Sequence, residues 1–177
     1  MNETIFLKHP WKVEELMVGA KYHFKTSLIR KIVSIIYLIV AIYNILLGLY
    51  ELLIISSSEG TVSIVFGLLF LFIFLFRDQL TTFFFTQNIK KLNYENKEVE
   101  WEISKDKIVY RMINLVESTY GWELIQGVLD TPQGFLLYPQ KNTFYWLPKA
   151  AFEKEEDIAL FAFIAQEKVK TFSKQSN

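Results

Sequence analysis

The chain has 177 residues, 51% of them hydrophobic, with 19 basic and 19 acidic side chains and no cysteine. That length fits one compact domain, or a small domain with a membrane anchor. The balanced charge gives no general pull toward nucleic acid or anionic membranes. The lack of cysteine excludes disulfides, thiolate nucleophiles and thiolate metal sites.

Residues 1–31 read as a cytoplasmic entry segment. Thr4–Leu7 has strand character, and Val13–Arg30 is helical, with Leu16, Gly19, Ala20, His23 and Ser27 along one face. His9 and His23 are the two histidines, and the sequence around them points to surface or packed side chains rather than catalysis.

Ile32–Ile55 is an apolar run broken only by Asn44, Glu51 and a few small or aromatic polar groups. A helix rising about 1.5 Å per residue crosses about 30 Å of hydrocarbon in about 20 residues, so this run is long enough. It is too long, and starts too late, for a cleaved signal peptide. After Ser56-Ser57-Ser58-Glu59-Gly60 comes a second run, Val62–Phe76, which reaches membrane length as Gly60–Leu80 with Arg77 and Asp78 at the interface. The reading is a transmembrane hairpin over 32–86, with spans of about 32–55 and 60–80. Phe83-Phe84-Phe85 then fall at headgroup depth or dock on the soluble part.

Lys21, Lys25, Arg30 and Lys31 precede the first span, Arg77, Lys90 and Lys91 follow the second, and the loop has Glu59 and no basic residue. Positive charge stays inside, which predicts a multi-pass cell-membrane protein with both termini cytoplasmic. Gly48 and Gly67 are nearly equidistant from Ser58. They either let the helices approach closely at one depth or are two unrelated glycines. Asn44, near mid-span, needs a partner from a backbone carbonyl or a second copy of the chain. Glu51 reads as snorkelling to water at the outer end, or as part of an ion path.

From Glu98 the period becomes two. Val99, Trp101 and Ile103 alternate with Glu98, Glu100 and Glu102, and Ile108, Tyr110 and Met112 continue the pattern. With Lys105-Asp106 as the tip, Ile103 faces Ile108, Trp101 faces Tyr110 and Glu100 faces Arg111. The glutamates then form a solvated strand face rather than paired catalytic acids. Further strands are expected at Val116–Trp122, Ile125–Asp130, Phe135–Tyr138 and Thr143–Leu147. Turns at Thr131-Pro132-Gln133-Gly134 and Pro139-Gln140-Lys141-Asn142 separate them, and Pro148 stops the last. Glu153–Ser173 is predicted as a helix, acidic at its start and basic at its end, with Ile158, Phe161, Ala165, Val169 and Phe172 on one face and Leu160, Phe163 and Ile164 widening it. The fold class is therefore α+β: a two-helix transmembrane hairpin followed by an antiparallel β barrel or sandwich capped by a C-terminal helix.

The succession Tyr120-Gly121-Trp122-Glu123-Leu124-Ile125, Phe135-Leu136-Leu137-Tyr138 and Tyr145-Trp146-Leu147-Pro148-Lys149-Ala150-Ala151-Phe152, ahead of an acidic helix start, resembles the YcxB-like family of bacterial membrane proteins. The resemblance implies an entry segment and two membrane helices before a C-terminal domain, here 87–177, similar to pleckstrin-homology-like domains. Its strongest elements, Trp122 with Ile125 and the Leu147-Pro148-Lys149…Phe152 stretch, have structural readings: Trp122 as a core anchor, Pro148 as a strand stop and Phe152 as a staple into the helix. Trp101 and Ile125 are likewise expected as core anchors.

With no glycine-rich phosphate loop, metal-ligand spacing or nucleophile motif, an enzyme is not expected, nor is a cofactor. The expectation is a membrane-anchored binding or regulatory module for a protein partner, with lipid headgroups the weaker branch and self-association open. Lys90, Lys91, Lys97, Lys105, Lys107 and Arg111 are the candidate contacts. Each is worth about 1 kcal/mol near an anionic surface, although Glu95, Glu98, Glu100 and Glu102 interleave with them. The alternative is an immunity or stress-protection protein against a toxin, with Asn44, Glu51 and the hairpin carrying recognition.

Overall fold

The structure, a computed structural model, describes residues 4–26, 28–55, 57–140 and 143–175. Ser27 of the expected helix face, Ser56 of the polar break and Lys141-Asn142 of the expected turn lie outside these residues.

The alternation after Lys97 becomes β2 (Glu98–Ile103), which pairs with β3 (Lys107–Met112) in the expected register: Ile103 opposite Ile108, Trp101 opposite Tyr110, Glu100 opposite Arg111. Lys-Asp is a poor two-residue tip, and Ser104 compensates. Its hydroxyl accepts the backbone N–H groups of Asp106 and Lys107 at 3.3 and 3.2 Å, a serine turn that holds the chain reversal. β4 (Val116–Gly121) follows β3 through a loop in which Asn114 takes φ 61°, a left-handed conformation that asparagine tolerates. On the other side of β2 lies β1 (Ile5–Pro10), giving the sheet order β1-β2-β3-β4. The strand expected at Thr4–Leu7 thus extends to Pro10, which ends an edge strand where its missing N–H is harmless.

A second sheet has the order β7 (Thr143–Pro148), β6 (Gly134–Gln140), β5 (Gly127–Asp130), β8 (Thr171–Lys174). The expected strand Val116–Trp122 stops at Gly121 because Trp122–Leu124 winds into a 3-10 turn, which delays the next strand from Ile125 to Gly127. Pro139 and Gln140 belong to β6 rather than to a turn, and the pairing with β7 shifts register between Leu137 and Gln140, beside a proline with no N–H to contribute. The helix expected at Glu153–Ser173 is also shorter. It is α4 (Glu155–Lys168), after which Thr171–Lys174 pairs parallel to β5 and brings Phe172 to the core from a strand. The two sheets do not close on each other, so the architecture is a sandwich, not a barrel.

The inner faces carry Ile5, Leu7, Val99, Trp101, Ile103 and Ile108 from the first sheet and Val128, Phe135, Leu137 and Leu147 from the second. α4 adds Phe161, Ile164 and Ala165, with the Phe161 ring 4.6 Å from that of Phe135. β6 is buried on both faces: Leu136, with Trp146 and Leu129, points to the other side, where α1 (Val13–Thr26) lays Leu16 and Val18 on it. Gly19 lets α1 come so close that an added Cβ would sit 2.8 Å from the Trp146 indole. The first N–H of α1 is taken by the Glu95 carboxylate at 3.1 Å, a cap supplied from far along the chain. Residues up to His23 and those from Asn88 onward therefore make one compact unit, and the entry segment expected over 1–31 divides at His23.

The other unit, Phe24–Gln87, is a helix pair. α2 (Leu28–Tyr50) runs on through a π-helical turn, Glu51–Ile55, and α3 (Glu59–Lys90) returns. Both are long and apolar enough to cross a membrane, and only 17% and 11% of their most apolar windows are buried, unlike the core helix of a soluble protein. α2 buries Ser34, Ala41 and Gly48, and α3 buries Gly60 and Gly67. All five are small and recur every seventh residue, so the seam follows the 3.5-residue period of a left-handed helix pair.

Gly48 packs on Gly60 and Ile64, and Gly67 on Ala41 and Ile45. The two glycines expected at one depth are thus both in the seam but about a turn and a half apart, because the π-turn carries α2 past the start of α3 before the chain reverses. Asn44 Nδ2 donates to the Val40 carbonyl at 2.8 Å, within its own helix. Ser63 Oγ donates to Glu51 at 2.9 Å across the pair, and at the far end Arg30 meets Asp78 at 2.8 Å. From Arg30 to Glu51 the helix rises about 31 Å, the thickness of a hydrocarbon core.

Two outcomes follow from this packing. In membranes, the doubly substituted chain A41C/G67C forms an intramolecular disulfide on mild oxidation and G48C/G67C does not, read as a gel shift. In the sandwich, Phe161→Ala lowers stability by about 3–5 kcal/mol and Phe163→Ala by less than about 1, read from near-UV thermal melts, since Phe161 is fully buried and Phe163 is 53% exposed.

Candidate functional site

The outer face of the first sheet is a lattice of charge. Lys8 bridges Glu98 and Glu100 at 3.1 and 3.2 Å, and Arg111 reaches Glu117 at 3.2 Å and Glu102 at 3.4 Å. Arg111 is therefore committed to neighbouring carboxylates. Of the other candidate contacts, Lys105 and Lys107 sit at the β2–β3 tip, whereas Lys90, Lys91 and Lys97 precede the opposite end of β2. The six-residue strand between them spans about 20 Å. Residues adjacent in sequence thus do not form one basic patch.

Trp101, Trp122, Ile125 and Phe152 all lie in the core, and Pro148 is buried at the end of β7. Trp122 Nε1 donates to the Ser104 carbonyl at 2.8 Å, tying the 3-10 turn to the β2–β3 tip. Lys149, part of the Leu147-Pro148-Lys149…Phe152 stretch but given no role of its own by the sequence, has a defined seat. Its ammonium donates to Asp130 at 2.6 Å and to the Thr131 carbonyl at 2.7 Å, and lies 4.8 Å from the centre of the Phe135 ring. It clasps the turn between β5 and β6.

Sequence reasoning also missed a cavity of about 210 Å³ within the sandwich unit. Seven of its fifteen lining residues are aromatic. Trp11 and Tyr94 meet edge to face at 87°, and Trp101 and Tyr145 at 81°, so the walls join at corners. His9, Glu15 and Trp101 also line it. Each has a buried polar atom without a hydrogen-bond partner among the described residues: His9 Nε2, Glu15 Oε2 and Trp101 Nε1. Burial holds the His9 imidazole below its ordinary pKa, outweighing the nearby Glu15 carboxylate, so the ring is neutral at pH 7. The sequence signal was the aromatic density of Trp11, Tyr94, Trp101, Tyr110 and Tyr145, but these residues meet only through the pairing of β1 with β2 and the stacking of the sheets.

Tyr120 and Tyr145 share a hydroxyl–hydroxyl hydrogen bond of 2.5 Å, and the Tyr110 ring lies 5.5 Å from that of Tyr145. Burial, reinforced by Tyr120 and Tyr94, pushes the Tyr110 phenol up to about 12. Burial and the bond to Tyr120 push Tyr145 up as well. A phenol whose pKa is raised by folding contributes stability that is intact below its unfolded value of about 10 and is lost as pH rises through the folded value. Stability therefore falls between about pH 10 and pH 12, and Tyr110→Phe removes part of that slope. Absorbance titration at 295 nm with parallel melts at each pH is the check.

Among the described residues no group of three or more His, Asp or Glu is gathered closely enough to hold a metal ion. No curated protein and no solved structure shows significant similarity to the chain. Residues 103–162 match the family model described as YcxB-like protein. The match starts at the last residue of β2, takes in β3 to β7 and ends within α4, so it covers most of the sandwich, including Trp122, Ile125 and the Lys149 clasp. The similarity to the YcxB-like family is thus carried by this part of the sandwich, about a third of the chain.

Proposed function

We propose that the chain is a membrane-anchored binding module. Its hairpin crosses the bilayer and holds a pleckstrin-homology-like sandwich at the cytoplasmic face, where the sandwich engages a protein partner. The observation that carries this reading is the pairing of β1, which precedes the hairpin, with β2, which follows it, over six residue pairs from Ile5↔Ile103 to Pro10↔Glu98. One sheet built from both flanks requires both ends of the hairpin to open on the same side of the membrane. The basic residues of those flanks make that side the cytoplasm. What supports the pleckstrin-homology-like part of this reading is a sandwich, antiparallel except for the β5–β8 pair, with a helix packed into its core.

Protein is favoured over lipid as the partner for two reasons. The basic side chains are dispersed and, in Arg111, neutralised, so they offer no continuous anionic-lipid surface. The free edge strand β4, by contrast, starts from a tip where Ile113, Leu115 and Val116 are 36%, 47% and 47% exposed. Unpaired backbone beside exposed apolar side chains is the surface on which a partner strand adds. The work of such a module is recognition rather than turnover.

The full-length chain extracted from its native membrane in mild detergent should carry one companion protein at fixed stoichiometry. L115D/V116D, with an unchanged melt, should lose it. No companion, or one kept equally by that variant, overturns the proposal.

A further inference from the structure

Asn44 lies within the apolar length of α2 with part of its amide unused. About 10 Å of helix separate it from Glu51, the nearer polar end. A carboxamide has two N–H donors and one accepting oxygen. One N–H goes to the Val40 carbonyl at 2.8 Å. The other N–H and the oxygen have no partner among the described residues, and the side chain is half-buried, so they open on the outside of the helix pair. Acyl chains offer no hydrogen bond, and water is scarce at this depth. Only another protein group can complete the amide.

Depth identifies that group. Two copies inserted with the same topology are related by a two-fold axis along the membrane normal. Identical residues then share a level, and Asn44 stands opposite Asn44 of the second copy. The amide is self-complementary, since each N–H donates to the other's oxygen. An unrelated helix would need a polar group of its own at this one level. The surface around Asn44 suits a helix contact. Val33, Tyr37, Val40, Asn44 and Leu47 follow one another in alternating steps of four and three, all partly exposed along one flank of the small-residue seam. Glu51, next on the stripe, is held to α3 by Ser63 at 2.9 Å, which draws its charge away from this contact.

We propose that the hairpin binds a second copy of this chain through this flank of α2, the two Asn44 amides hydrogen-bonded to each other inside the bilayer. Each amide keeps its bond to Val40 and gains one donor and one acceptor. The apolar side chains on either side of it close the contact around a dry polar pair. The association is independent of the protein-partner reading, which rests on β4 and the tip before it.

The test uses the full-length chain in liposomes, labelled with donor or acceptor dye at Glu59→Cys, and follows energy transfer as added lipid dilutes the protein. Asn44→Leu should shift the dissociation curve by about tenfold, and Asn44→Gln, which keeps both kinds of group, by less than about threefold. L115D/V116D should leave the curve in place. The A41C/G67C bridge, formed in the Asn44→Leu background, shows the hairpin intact. Should that bridge fail, single cysteines in the otherwise native chain decide: on mild oxidation Val40→Cys links two copies and Ile42→Cys, on the opposite flank, does not. Energy transfer no greater than random mixing gives, a curve indifferent to Asn44→Leu, a curve moved by L115D/V116D, or no preference for position 40 over 42 overturns the proposal.

Discussion

The pairing of β1 with β2 is the constraint on which the rest of the molecule depends. It joins residues about ninety apart in sequence, and everything between them must leave and return to the same sheet edge. Closing a flexible loop of that length costs about 4 kcal/mol by the logarithmic scaling of loop entropy. Two antiparallel helices of similar reach bring the ends back together and remove much of that cost. The segment before the hairpin and the strands after it thus need each other. Without β1 the sandwich loses Ile5 and Leu7 from its core, and without the neighbouring α1 it exposes Leu136 and Trp146.

The helix pair is held by little of its own surface. Its buried residues are a single seam of serine, alanine and glycine, while leucine, isoleucine and phenylalanine side chains point outward around it. In water that arrangement would be untenable, because the exposed apolar area far exceeds what a soluble monomer tolerates. In lipid it is the expected solution, since close backbone approach replaces the hydrophobic effect as the source of association. The Arg30–Asp78 and Ser63–Glu51 contacts lie at the two ends of the apolar length, where water or headgroups can solvate the charges that remain.

Much of this was legible in the sequence where a local period carries the information. The β2–β3 register followed from alternation alone, because slipping by one residue would have turned Trp101 and Ile103 to solvent. The hairpin followed from length and composition. The seam is only half legible: Gly48 and Gly67 stand out as small residues, but the seven-residue recurrence through Ser34, Ala41 and Gly60 that sets their true partners emerges only from the packing. What escaped depends on contacts distant in sequence. The unbroken apolar run Phe135-Leu136-Leu137 announces a strand buried on both faces, yet it does not say that α1 supplies the second cover. The C-terminal strand was hidden in a plausible helical stripe, because Val169 and Phe172 suit either period and only an open edge on β5 decides between them. The cavity is least legible of all, since its walls come from both flanks of the hairpin.

The most direct measurement uses the absence of native cysteine. Single substitutions K8C on β1, K105C at the β2–β3 tip and E59C at the start of α3 are placed in sealed vesicles of known orientation and probed with a membrane-impermeant maleimide. The expected result is that positions 8 and 105 react only from the cytoplasmic side and position 59 only from the opposite side. Reaction of positions 8 and 105 from opposite sides, or of all three from one side, would contradict a sheet closed across the two ends of a membrane-spanning hairpin.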